Sequence, residues 1–226
     1  MIQVEYSNCV RKIKLRGIII ETGDFTDMPM KIKLPEPGTS EVSRIEELLA
    51  KRRSVRRYST KGLPEVIISR FLWAAQGISS EEGLRTSPSA GALYPLEIHA
   101  VVGEGNELEP GIYRYVAEEH ALTQEIPGDM REKLAEAALS QPMVRKAAVS
   151  LVISAVYPRI TGKYGKRGIR YADMEAGHTA QNIYLLGVEL GIGTCAVGAF
   201  DDEEVKKVLK LPGNEEPLYI LPLGYL

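Results

Sequence analysis

Tyr171-Ala172-Asp173-Met174-Glu175-Ala176-Gly177-His178-Thr179-Ala180-Gln181-Asn182-Ile183-Tyr184-Leu185-Leu186-Gly187-Val188-Glu189-Leu190 is the longest stretch of the 226-residue sequence that reads as one helix. Small residues come first, at Ala172, Ala176, Gly177 and Ala180, and from Ile183 to Leu190 apolar side chains face nearly every direction. A helix that is apolar all round has no side to give to water, so it is expected inside a domain or between subunits. Gly191 and Gly193 follow, and glycine just past a helix reads as its stop and as the lead into a strand.

Outward from this helix the chain alternates. Downstream, Asp201 or Asp202 caps a helix through Leu209, and Pro217 to Tyr225 reads as a closing strand. Upstream, Ala147 to Val156 is an apolar run of buried-strand type, and Asp129 to Leu139 is helical. Ile112 to Val116 and Ala121 to Ile126 form a β-hairpin, with Glu97 to Gly103 as the strand before it. Ile67, Phe71, Ala74, Ala75 and Ile78 recur at helical spacing behind Pro64, which suits a first turn. Ser43 and Glu46 make a capping box for a short helix that delivers the chain to Arg52.

This order predicts an α+β domain over residues 43–226, with helices packed on a central sheet. Residues 1–42, with Pro29, Pro35, Pro37 and Gly38 around Ile18-Ile19-Ile20, read as an extended or hairpin-like N-terminal extension, not a separate domain.

Composition narrows the function. At 44% hydrophobic and 26% charged, the chain is an ordinary globular one with enough apolar residues for a sizeable core. A net charge of −2 gives no field that would draw it to nucleic acid or to an anionic membrane. Cys9 and Cys195 lie far apart without metal-ligand spacing, which fits a reducing cytoplasm and no metal site. The N-terminus lacks the pattern of a signal peptide, and no stretch approaches the ~18 apolar residues of a membrane span.

Three clusters can carry chemistry. Lys51-Arg52-Arg53-Ser54-Val55-Arg56-Arg57 sets five cations around one serine at a helix end. Arginine forks and a hydroxyl can hold a phosphomonoester dianion, while a solvated basic face at a helix C-terminus explains the same run. Thr86-Ser87-Pro88-Ser89-Ala90-Gly91-Ala92-Leu93-Tyr94-Pro95 has small side chains that let a flat ligand approach the backbone, or is a connecting loop. Gly191 to Phe200 is similar. Its formal G-x-G-x-x-A match follows a helix rather than a strand, which argues against a dinucleotide fingerprint. His99, His120 and His178 have no metal spacing, and His178 reads as a hydrogen-bonded core residue. With few acids, bases or nucleophiles in evidence, the hard chemistry is expected to come from a bound cofactor.

In this order the clusters, with Glu175-Ala176-Gly177-His178-Thr179-Ala180-Gln181-Asn182, resemble the nitroreductase family, and within it the SagB/ThcOx-type, azoline-oxidising branch, over roughly residues 43–225. The resemblance implies a dimeric fold with a mostly antiparallel central sheet flanked by helices, FMN at the interface of a homodimer, and NADH or NADPH as a donor. It implies that Arg52, Arg53, Ser54 and Arg56 bind the FMN phosphate and ribityl chain. Pro88, Ser89 and Ala90 match the loop that packs on the flavin from the partner subunit, Gly198 and Ala199 the strand end near flavin N5, and Gln141 a side-chain amide at the flavin edge. Where many members carry an acid near N5, this chain has Gly198, so only the backbone contact carries over. The sequence ends just after the closing strand, so the family's C-terminal arm is expected to be missing, with N-terminal residues compensating.

Between Gly162 and Tyr171 lies a glycine-punctuated basic and aromatic segment, expected as a loop. Lys163-Tyr164 in it resembles the Lys-Tyr pair that serves azoline-oxidising members as catalytic base machinery. The competing reading is a mobile lid. The implied activity is FMN-dependent oxidoreduction, either of quinone or nitro acceptors with NAD(P)H or of an azoline ring in a modified peptide. The alternative is a flavin- or partner-binding module without turnover of its own.

Overall fold

The apolar runs Leu96–Val102 (β4) and Val149–Ala155 (β7), buried at every position but Glu97, are neighbours at the middle of a sheet. The structure, a computed structural model, describes residues 3–7, 10–15, 18–22, 31–37 and 42–226. The chain divides into two units, Met1–Val42 and Ser43–Leu226. The first carries three antiparallel strands, Gln3–Ser7 (β1), Val10–Leu15 (β2) and Ile18–Thr22 (β3), in that spatial order. The run at Ile18 is thus the last strand of a three-stranded sheet and pairs with β2 as a hairpin, as the hairpin-like reading expects. Cys9, Pro29 and Gly38 lie outside the described residues.

The second unit is built on a six-stranded sheet with Gly111–Val116 (β5), Ala121–Pro127 (β6), Ile192–Thr194 (β8) and Glu216–Tyr225 (β9), in the order β6-β5-β4-β7-β9-β8. Every pairing is antiparallel. Because side chains alternate across a strand, β4 and β7 serve two cores. Ile98, Ala100, Leu151 and Ile153 point to one face with Phe71, Ala176 and Ile183, while Val101 and Val152 point to the other with Leu134, Val144 and Val205. Burying each large aliphatic side chain contributes roughly 1.5 to 3 kcal/mol, so a strand apolar on both faces is stable only where both are covered.

The first face is covered by Glu65–Gln76 (α2) and Arg167–Leu190 (α6). The second carries Arg131–Ala137 (α3), Pro142–Lys146 (α4) and Asp202–Leu209 (α7). Pro64 stands at the N-cap of α2, one residue outside the helix. The inward stripe of α6 is made of small or polar residues, Ala172, Glu175, Ala176, Thr179 and Ala180, ending in Ile183 and Gly187. Tyr184, Leu185, Leu186 and Val188 are only half-buried within one chain.

Two sequence expectations change here. Gly162 to Tyr171 is not a loop. Pro158–Tyr164 (α5) and the first turn of α6 occupy it, and only Gly165 and Lys166 separate the two helices. Pro158 starts α5 in the first-turn position that proline favours, and Ile160 is fully buried. Arg170 and Tyr171 therefore lie inside α6 rather than at its start. His178 is exposed on α6, with Nδ1 3.4 Å from the Pro88 carbonyl, so it is not a core residue.

The buried histidine is His99 on β4. Its Nε2 is 2.8 Å from Glu215 Oε1, which also accepts the Ser154 hydroxyl, and its Nδ1 is 3.6 Å from Glu125 Oε2, an ion-pair distance. Burial pushes the imidazolium pKa down, yet the two carboxylates outweigh it and raise the value to about 9. Burial likewise opposes ionisation of Glu215, but contacts with His99 and Ser154 hold its carboxyl below the usual range; Glu125 is held low by His99. A group with a raised folded pKa contributes stability below its unfolded value, near 6.5, and loses it as pH climbs through about 9. The lowered carboxylates lose theirs as pH falls below about 4.5. Thermal unfolding midpoints are therefore expected to fall between pH 7 and 9, and His99→Gln to flatten that fall. An equally steep alkaline decline in the variant would remove His99 as its source.

Candidate functional site

The capping box places the basic cluster. Ser43 and Glu46 bond each other's backbone amides and start Arg44–Lys51 (α1), whose C-cap is Arg52. From there the chain runs extended beside the sheet edge, where Val55 N–H donates to Thr194 O (2.8 Å) and Ser59 N–H to Tyr225 O (2.9 Å). The approach is close because Gly193 and Gly224, directly paired across β8 and β9, have no side chains. A Cβ on Gly193 would stand 2.7 Å from Val55 Cγ1, and one on Gly224 2.6 Å from Tyr58 Cβ. These glycines thus seat the basic segment, and Gly191, at φ 68°, stops α6.

Within the segment the arginines separate. Arg53 turns back, donating to Ala50 O (3.0 Å) and Arg52 O (2.7 Å), which is the helix-end role that a solvated face predicts. Arg52 lies over the Tyr184 ring, 5.1 Å from its centroid, and Ser54 Oγ is 3.1 Å from the Tyr184 hydroxyl. Arg56 is exposed. Among the described residues no ion pair involves Arg52, Arg53 or Arg56, whereas Lys51 is 3.8 Å from Glu47. The contrast with a second arginine group is informative: Arg85, Arg114 and Arg159 border a cavity of about 240 Å³, and each already has an acid, Glu118, Glu125 and Glu97. Cations clustered without acids are the donor set that a phosphomonoester needs.

The Thr86–Pro95 stretch is pinned by a buried polar network. Ser87 Oγ donates to Ala75 O (2.8 Å), and Asn182 Nδ2 donates to Ala74 O, Thr86 O and Ser87 Oγ. Gln76 Nε2 donates to Thr179 Oγ1 (3.0 Å) and Glu175 Oε1 (3.3 Å). Glu175 is almost fully buried, its Oε2 has no partner, and burial raises its pKa to about 7. Pro88 is exposed, Ser89 Oγ accepts the Tyr94 amide (3.0 Å), and Ala90–Ala92 form one 3-10 turn. Lys163 and Tyr164 of α5 meet that turn: a Cβ on Gly91 would be 2.7 Å from the Tyr164 hydroxyl and 3.0 Å from Lys163 Nζ.

Gln141 caps α4, and its Nε2 donates to Ala199 O (2.8 Å) and Ala138 O (2.9 Å). Gln141 and the Gly198-Ala199 segment are thereby brought together, just past the Val197–Ile220 bridge to β9. Ala196, two residues before Gly198, donates its amide to the Tyr184 hydroxyl (2.7 Å). Arg52, Ser54, Gln141, Gly198 and Ala199 thus belong to one side of the molecule's polar framework, and Ser89, Ala90, Lys163 and Tyr164 to another. No hydrogen bond or ion pair among the described residues joins the two groups directly. The residues that sequence reading missed are Tyr184, Gln76 and the buried Glu175. Tyr184 carries a weak signal, a hydroxyl on an otherwise apolar half-helix, since a buried tyrosine oxygen usually has a partner.

No group of three or more candidate metal ligands and no helix able to cross a membrane occurs among the described residues. The Nitroreductase family model matches residues 49–225. A protein of Methanocaldococcus jannaschii that carries a nitroreductase name is 44% identical over 195 residues, covering 86% of this chain and 96% of its own. A crystal structure under a nitroreductase title from Anabaena variabilis aligns with TM-score 0.71 and 30% identity over 80% of this chain, which spans 38% of that longer one. A chain of the E. coli microcin synthetase McbBCD complex, solved with truncated pro-MccB17, aligns with TM-score 0.67 and 26% identity, covering 87% of this chain and 78% of its own. The six-stranded antiparallel sheet flanked by helices is the nitroreductase-like fold, and the chain belongs to the nitroreductase family.

Proposed function

We propose that the protein is an FMN-dependent oxidoreductase that works as a homodimer. The observation that carries the reading is the set of acid-free arginines at Arg52, Arg53 and Arg56 around Ser54, with Arg52 and Ser54 both resting on Tyr184. They fit a phosphate: guanidinium groups supply charge, and the Ser54 hydroxyl supplies a short donor. Bound FMN would supply a two-electron carrier that exchanges hydride at N5 with NADH, NADPH or an organic substrate. The chain's own part is to hold the phosphate at Arg52 and Ser54, to aim backbone groups at Gly198 and Ala199 with Gln141 fixing that segment, and to exclude water with the Pro88–Ala90 loop.

A second copy is part of the reading. Trp73, Leu84 and Met174 are each close to half exposed, and Leu185 and Val188 of α6 are only partly covered. An apolar face of this kind calls for a partner surface. Lys163 and Tyr164, set against the Gly91 turn, support the finer assignment to the SagB/ThcOx-type branch, in which proton removal from a ring carbon accompanies its oxidation. The purified protein is expected to be yellow and to release FMN on denaturation. A colourless protein that FMN cannot reconstitute would refute the proposal.

A further inference from the structure

Among the described residues Tyr184 joins three groups. Its ring supports the Arg52 guanidinium at 5.1 Å, its oxygen accepts the Ala196 N–H at 2.7 Å, and the same oxygen is 3.1 Å from Ser54 Oγ. It thus contacts two members of the basic segment and the backbone leading to Gly198. A phenol has a single proton to give. Either oxygen of the Tyr184–Ser54 pair can donate; with the Tyr184 oxygen already accepting from Ala196, Ser54 Oγ is the acceptor within reach of the phenol proton among the described residues. When Tyr184 donates, the Ser54 oxygen accepts one bond and its own proton is left free.

From this geometry we infer that Tyr184 is a positioning residue that turns Ser54 into an oriented hydrogen-bond donor for a phosphomonoester, through the relay Ala196 N–H to Tyr184 O–H to Ser54 O–H. The inference deepens the FMN reading and rests on it. A relay of this kind has two consequences. Each donor polarises the next, so the terminal hydroxyl is a stronger donor than an isolated serine. The hydroxyl is also pre-aimed, so less rotamer freedom is lost when the anion arrives. Tyr184 does not itself touch the phosphate. Its effect on binding passes through Ser54 and, by the ring, through Arg52.

The experiment is a double-mutant cycle on dissociation constants of FMN and riboflavin, read by flavin fluorescence for the parent, Tyr184→Phe, Ser54→Ala and the double variant. Phenylalanine keeps the ring under Arg52 and removes only the hydroxyl. Each single variant is expected to weaken FMN about tenfold, and the double variant no further than Ser54→Ala alone, because the tyrosine acts through the serine. Riboflavin, which lacks the phosphate, is expected to bind all four proteins alike. Tyr184→Phe with parental FMN affinity, or single effects that multiply in the double variant, would overturn the relay. Equal losses for FMN and riboflavin in Tyr184→Phe would also overturn it, since they mark a displaced Ala196 backbone rather than a phosphate contact. A parent that binds riboflavin as tightly as FMN would instead overturn the phosphate reading itself, and the relay with it.

Discussion

Replacing Lys163 with Ala is expected to slow oxidation of an azoline ring by about 10²- to 10⁴-fold, the usual contribution of a positioned base. Reduction of a quinone or nitro acceptor with NADH or NADPH is expected to stay near the parental rate. The two reactions differ in what they ask of the protein. Taking hydride from a ring onto the proposed flavin requires that a neighbouring proton leave, and in the proposed assignment the Lys163 amine, set with the Tyr164 hydroxyl against the Gly91 turn, receives it. Delivering hydride to an acceptor leaves a product that takes its proton from water. Lys163 Nζ is also 5.5 Å from the Tyr164 ring centroid, so the two side chains support each other. Tyr164→Phe is accordingly expected to lie between parent and Lys163→Ala. Parallel losses in both reactions would make the pair part of the enclosure, as a lid reading holds; a parent active only as a reductase, with Lys163→Ala unchanged, would place the protein among the acceptor-reducing members.

The strands and most helices were legible because their signals are local. The Ser43–Glu46 box, the apolar run from Ala147 to Val156 and the cap at Asp201 or Asp202 each sit within a few residues of what they predict, and the structure has the box, a strand over Val149–Ala155 and the cap at Asp201. The errors came where a residue's role depends on what crosses it. Gly162, Gly165 and Gly168 suggest a loop, but a Cβ on Gly168 would stand 3.0 Å from the Ile160 carbonyl, so that glycine permits the crossing of α5 and α6. The sequence predicts α6 to be apolar all round, whereas its buried face is a stripe of small and polar residues. His178 is two residues from Ala176, about 200° round the helix, and therefore faces out, while Glu175, inside the stripe, is the buried group. In the candidate site, sequence alone could gather the arginines around Ser54 but not separate Arg53, which closes its own helix, from Arg52. That separation depends on Tyr184, 132 residues beyond Arg52 and brought there by the packing of α6 beside β8.

Arg52→Ala is expected to weaken FMN binding by roughly 10- to 150-fold, the equivalent of one charge-assisted contact of about 1.5 to 3 kcal/mol. The fold should be nearly untouched, since the side chain is half-exposed and makes no ion pair among the described residues; its backbone N–H to Leu48 O, which ends α1, survives the change. Lys51→Ala is the control. Lys51 is a neighbour of equal charge, but it is exposed and 3.8 Å from Glu47, so its loss should cost FMN affinity little. Arg53→Ala is expected to fall between the two, because its guanidinium is engaged by the carbonyls of Ala50 and Arg52 and must leave them to reach an anion. Rising salt should narrow the gap between parent and Arg52→Ala, as it screens an exposed cation. Titrations by flavin fluorescence at two ionic strengths measure all of this. Equal FMN affinities for the parent and Arg52→Ala would return this arginine to the solvated face and leave Ser54 and the backbone near Gly198 as the remaining candidates to hold the cofactor.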